Sequence, residues 1–126
     1  MMKSQKNLEE LQGNQDVMNK YHNRKVKYGR YTFDSAKEAN YYVKLSLMEK
    51  AGLITNLRRQ VKYELQPSFQ INGKTIRAIT YIADFVYTDK DGIEHIIDVK
   101  GFKTEGYKLK SKMFAYKYGK EIEEWK

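Results

Sequence analysis

The sequence predicts a small α+β domain with helices packed on a mixed sheet, in the order α-β-β-β-α-β. Three observations carry this. A helical window runs from Ser35 to Gly52. Apolar extended segments follow, punctuated by turn signals at Asn72-Gly73 and at Asp89 to Gly92. A second helical window, Tyr107 to Tyr118, then precedes a short final strand. A chain of 126 residues supports one small core of this kind.

The first helix starts at a capping box, Ser35-Ala-Lys-Glu38, and stops at Gly52. Ala36, Ala39, Val43 and Leu47 make one apolar stripe, and Tyr41, Leu45 and Met48 a second. A helix apolar on two sides belongs in a core. The first strand carries Leu57, Val61, Tyr63 and Leu65 and ends before Pro67. Ile76 to Tyr87 reads as a long second strand and Glu94 to Lys100 as a third. In the second helix Leu109, Met113 and Tyr116 share one side, Gly119 ends it, and Glu121 to Trp125 adds the last strand. Residues 1–30 read as a basic, mobile tail and 31–126 as the folded domain.

Composition narrows the partners. Lys and Arg outnumber Asp and Glu 24 to 16, a formal net charge of +8 that suits a polyanion such as nucleic acid. Cysteine is absent, which excludes disulfides and thiolate metal sites. The two histidines, His22 and His95, do not suggest a histidine zinc site. No apolar run reaches membrane-spanning length, the N-terminus has no signal-peptide pattern, and the expected setting is the cytoplasm.

The hairpin from Tyr81 to Gly101 holds the chemistry. A turn centred on Asp91 puts Asp84 opposite Asp98, each seven residues away. Strand alternation then groups Ile82, Asp84 and Val86 on one face, and Ile96, Asp98 and Lys100 on the matching face. Like charges facing each other destabilise a strand pair, and a charge among Ile and Val is costly unless it is paired or binds a metal. A divalent cation between the two carboxylates removes the conflict, as in a metal-dependent phosphodiesterase site.

Glu38, Ala83-Asp84 and Asp98-Val99-Lys100, taken with the element order, resemble the PD-(D/E)xK nuclease superfamily. The resemblance covers roughly Tyr31 to Trp125 and is nearest to small phage-encoded members similar to Holliday-junction resolvases. Ala83 stands where the motif's name has Pro. Residues 31–126 would then be a nuclease-like domain with a restriction-endonuclease-like core. The resemblance implies a Mg²⁺- or Mn²⁺-dependent DNA endonuclease, with Asp84, Asp98 and the Val99 carbonyl as metal ligands. It gives Lys100 the role of orienting the attacking water or stabilising charge on the phosphate; a salt bridge to Asp84 or Asp98 is the other reading. It brings Glu38 to the metal, whereas the capping box explains the same residue locally. No small-molecule cofactor is implied. A homodimer is expected only by analogy with enzymes that cut junctions symmetrically. A non-catalytic nucleic-acid-binding module, or an accessory protein of phage replication or recombination, is the alternative.

The DNA contacts expected from charge fall in two places. Arg24, Lys25, Lys27 and Arg30 interleave with tyrosines and suit phosphate contact and base stacking, or form a solvated linker. Beyond the motif, residues 100–120 contain seven Lys against Glu105 alone. Of these Lys103, Lys108, Lys110 and Lys112, with Tyr116, are the expected contacts. Lys112 and Tyr116 match the helix position where many superfamily members place Gln or Lys and then Tyr one turn later.

Overall fold

The computed structural model describes residues 25–99 and 103–126. The expected tail as far as Arg24, and Lys100, lie outside the described residues. The chain divides into two compact units between Leu53 and Ile54.

In the first unit, β1 (Val26–Tyr28) and β2 (Tyr31–Phe33) form an antiparallel hairpin. Its turn needs Gly29, which sits at φ 62. Strand structure thus begins at Val26, ahead of the boundary drawn at Tyr31. Helix α1 (Ala36–Lys50) packs on this hairpin. Phe33, fully buried, meets the Tyr42 ring at 5.3 Å. Ala36, Ala39 and Val43 are buried as the periodicity predicts. Leu47 is not: it is 40% exposed, and half-buried Ser46 follows Val43 on the inner face. The 3.6-residue period carries the inner face from 43 to 46 before it reaches 47. Leu45, from the second stripe, is buried beside this face.

The second unit is a four-stranded mixed sheet in the order β3-β6-β7-β8. Strands β3 (Thr55–Gln66), β6 (Ile79–Thr88) and β7 (Glu94–Val99) are antiparallel neighbours. Helix α2 (Glu105–Tyr118) then crosses over to β8 (Ile122–Trp125), which pairs parallel with β7. Asp89 shapes the β6–β7 turn by accepting from the Asp91 and Ile93 N–H groups, and Gly92 takes φ 81. Val86 pairs with Ile96 and Phe85 with Ile97, so the turn is centred on Asp91 as the sequence predicts. The fold is α+β with a mixed sheet. Among the described residues no helix is long and apolar enough to cross a membrane.

Helix α2 lies against β3, β6 and β8. Thr104 caps its N-terminus through the Tyr107 N–H, and Gly119 ends it at φ 66. Its buried side chains are Tyr107 and Phe114; of the expected stripe only Met113 packs, half-buried, against the core, and Leu109 and Tyr116 stay outside. Leu109 is 60% and Tyr116 94% exposed. The aromatic set decides the rotation: Phe114 meets Tyr63, Tyr81 and Tyr118 at 5.0–5.8 Å, burying more area than Leu109 would. With Leu65, Ala83, Val86 and Ile96 these rings form the core, and Phe114→Ala would cost about 3–5 kcal/mol.

The expected long strand from Ile76 is broken at Arg77 and Ala78. Before the break, β4 (Phe69–Ile71) and β5 (Lys74–Ile76) make a separate two-stranded wing turned at Asn72-Gly73, both at positive φ.

Candidate active site

The site forms where the β6 ladder is interrupted. On β3, Arg59 pairs with Phe85 and Val61 with Ala83, but Gln60 and Asp84 between them do not pair. Gln60 has φ 53, left-handed for a residue with a side chain. On the other side the β7 ladder stops at Phe85–Ile97, and the Val99 N–H donates to Asp84 Oδ2 at 2.7 Å. A carboxylate replaces a backbone acceptor.

The interruption resets alternation. Tyr81 and Ala83 face the α2 core before it, and Val86 after it. Ile82, expected on the same face as Asp84 and Val86, is 47% exposed while Val86 is fully buried. A left-handed residue and a skipped pair rotate the strand, as a bulge does.

This rotation brings Tyr81 to Asp98. The Tyr81 hydroxyl donates to Asp98 Oδ2 at 2.6 Å, and both residues are buried. Burial, then this hydrogen bond and the Asp98 charge, hold the Tyr81 phenol far above the ordinary tyrosine range; Tyr107 and Asp84 add to the shift. Both carboxylates therefore act on one hydroxyl. The Tyr107 phenol is pushed up as well, by burial first, then by a hydrogen bond to Glu124 and the Asp98 charge.

A cavity of about 390 Å³ opens beside Asp98. Tyr81, Thr104, Gly106, Tyr107 and Lys110 line it, so the N-terminal turn of α2 and one lysine face the buried carboxylate. Sequence reading placed Lys110 on the DNA surface and missed Tyr81, Gln60 and Thr104. Tyr81 could not be found by alternation, because the reset at Asp84 leaves no mark in composition.

Glu38 belongs to the first unit and closes the capping box in altered form: Ser35 Oγ accepts from the Glu38 N–H at 3.1 Å, and Glu38 Oε1 accepts from the Asp34 N–H at 3.2 Å. Glu38 is only 3% exposed. Lys25, Lys27 and Arg30 are exposed, and the Arg30 guanidinium stacks on and donates to Tyr31. Lys103 bridges to Glu124 at 3.0 Å and Lys108 to Glu105 at 3.5 Å. Lys117 and Lys120 reach Glu64 and Glu94 on other strands. The run of lysines is thus partly neutralised by acids distant in sequence. Among the described residues Lys110 and Lys112 have no ion-pair partner.

The donors at Asp84, Asp98 and the Val99 carbonyl are all oxygen, the set a hard cation takes. Hydrogen bonds orient both carboxylates, as is usual for ligating ones: Tyr81 donates to Asp98 Oδ2, the Val99 N–H to Asp84 Oδ2, and the Gln60 side-chain amide to Asp84 Oδ1 at 3.4 Å. Among the described residues no group of three or more His, Cys, Asp or Glu is arranged to hold a metal ion. A cation here would take its other ligands from water or substrate, which suits Mg²⁺.

The profile of a family described as "Protein of unknown function (DUF1064)" matches residues 18–126. The chain belongs to the DUF1064 family. The match spans β1 through β8, including the whole carboxylate hairpin. No curated protein and no solved structure matches it.

Proposed function

We propose that this DUF1064 protein is a divalent-metal-dependent DNA endonuclease. One observation carries the reading: Asp84 and Asp98 lie one step beyond the last β6–β7 pair, both oriented by hydrogen bonds, and Asp98 lines a cavity together with Lys110. The resemblance to PD-(D/E)xK nucleases supports it, as does the +8 charge.

Asp84, Asp98 and the Val99 carbonyl would hold Mg²⁺ or Mn²⁺. When bound, the cation polarises a phosphate and makes water more acidic. Tyr81 keeps Asp98 in one orientation, and the Val99 N–H does the same for Asp84. Lys110 and the α2 N-terminus offer positive potential on the cavity side, where a phosphate oxygen gains charge during attack. Lys100 follows the Asp98-Val99 pair directly in sequence and is assigned the water-orienting role. Branched DNA is the preferred substrate in this reading, a homodimer its assembly, and the cytoplasm, that of the host if phage-encoded, its setting.

The test is a nicking assay on plasmid and four-way-junction DNA with EDTA, Mg²⁺ or Mn²⁺. The proposal expects cutting only with the cation, giving 5′-phosphate and 3′-hydroxyl ends, and faster cutting of the junction. DNA binding without cutting under any of these conditions would leave a silent binding module instead.

A further inference from the structure

The β4–β5 wing is the largest feature the carboxylate site does not use. It joins β3 to β6, and every residue from Pro67 to Arg77 is exposed. Its register sets Phe69 opposite Ile76, and Ile71 opposite Lys74. Alternation places all four on one face, with Gln70 and Thr75 on the other. Phe69 is 45%, Ile71 54% and Ile76 37% exposed. An isolated two-stranded ribbon is marginal in water, so apolar side chains left in solvent there mark a contact surface.

Charge identifies the occupant. From Gln66 to Ala83 the chain has no acidic residue, while Lys74 and Arg77 are both exposed. Two isoleucines and a phenylalanine, each about half exposed, fall well short of the roughly 800 Å² per partner that a stable protein interface needs. Duplex DNA needs less apolar area, because phosphate contacts supply most of the affinity. A two-stranded ribbon fits the major groove, where apolar side chains meet thymine methyls.

We propose that the wing enters the major groove of duplex DNA, with Phe69 and Ile71 against base edges and Lys74 and Arg77 on the flanking phosphates. The proposal rests on the nuclease reading for its partner and deepens it. Ile79, at the wing's base, precedes Asp84 by five residues on the same strand. At about 3.3 Å per residue that is about 17 Å, or about five base pairs at 3.4 Å each. The wing would grip the duplex about half a helical turn from the carboxylates and fix where they fall.

The experiment measures binding of the full chain to a fluorescent duplex in EDTA, across a salt series, so that cleavage plays no part. Lys74→Ala with Arg77→Ala should flatten the log-log salt slope by about one to two units. Phe69→Ser with Ile71→Ser should weaken binding about tenfold and leave the slope unchanged. Gln70→Ala with Thr75→Ala, on the opposite face, should bind as wild type, and thermal melts of all variants check folding. Wild-type affinity and slope in both the basic and the apolar variants would overturn the proposal. So would an apolar variant that turns a dimer into a monomer in sedimentation while binding DNA normally, which would make the wing a contact between copies. Wing-dependent binding without metal-dependent cutting would remove the nuclease and keep the wing; cutting with wild-type binding in both variants would remove the wing alone.

Discussion

The Tyr81 hydroxyl lies 2.6 Å from Asp98 Oδ2, in a part of the sheet where both residues are buried. With its pKa pushed up by burial, the phenol stays protonated and always donates. A buried carboxylate is costly without such a donor. The bond stabilises the protein and fixes the orientation of the carboxylate.

Tyr81→Phe keeps the ring contacts with Phe114 and removes only that donor. It should destabilise the protein by about 1.5–3 kcal/mol, the range for a hydrogen bond to a charged group. Mn²⁺ affinity, read by calorimetry, should fall about 10- to 100-fold. Unchanged Mn²⁺ affinity would reduce Tyr81 to a packing residue.

Asp84→Asn and Asp98→Asn should each abolish cutting while leaving DNA binding intact or tighter. Asp98→Asn also tests the metal-free state. An amide oxygen can still accept from Tyr81, while a buried negative charge is gone. The variant should therefore melt higher than wild type in EDTA, by about 4–8 °C for a gain of about 1 kcal/mol. Wild type should gain stability from Mn²⁺, about 2.7 kcal/mol at a hundred times the dissociation constant, and the variant should not. A variant less stable than wild type in EDTA would show that carboxylate repulsion is not what the site has to overcome.

Lys112 is exposed and Lys108 is shared with Glu105. Replacing both with Ala should flatten the salt dependence of DNA binding by about one to two units, with Lys112 giving the larger part. An unchanged slope would mean that the outer face of α2 points away from DNA.

His95 links three segments. Its Nε2 meets Asp89 Oδ2 at 2.7 Å, its Nδ1 pairs with Glu123 on β8, and its ring stacks on Tyr87. The hydrogen bond to Asp89, and then that to Glu123, raise its pKa above the ordinary 6.5, against partial desolvation. A raised folded-state pKa means this stabilisation is fully present below about pH 6.5 and is lost as pH rises through the folded value. The same bond lowers the Asp89 pKa, so at the acid end the stabilisation fades as pH falls through the folded Asp89 value. Melting temperature should thus decline from pH 6 to pH 9, and His95→Gln should flatten the decline. Parallel profiles for the two proteins would remove His95 as its source.

Glu38→Gln tests the cap. A glutamine oxygen can still accept from the Asp34 N–H, so stability should change by less than about 0.5 kcal/mol. Ser35→Ala, which removes the other half of the box, should cost about 1 kcal/mol. Reduced Mn²⁺ affinity in Glu38→Gln would assign that carboxylate to the metal as well.

Local chemistry made much of this protein legible in its sequence. Ser35 and Gly52 bound α1, Gly119 ends α2, and Asn72-Gly73 and Asp89 to Gly92 turn two hairpins, because caps and turns depend on neighbouring residues. The same locality set the β6–β7 register and brought Asp84 and Asp98 to one step beyond its last pair. What the sequence could not settle depends on contacts between distant segments. The inner face of α2 was decided by Tyr63 and Tyr81 drawing in Phe114, which left Leu109 and Tyr116 outside. The lysine run was partly neutralised by Glu64, Glu94 and Glu124 from other strands. Gln60 at positive φ on β3 and the skipped pair at Asp84 reset the alternation of β6, so Tyr81 rather than Ile82 faces the core and meets Asp98. Periodicity assumes a regular strand. Only the tertiary structure reveals where pairing with a neighbour makes the strand irregular.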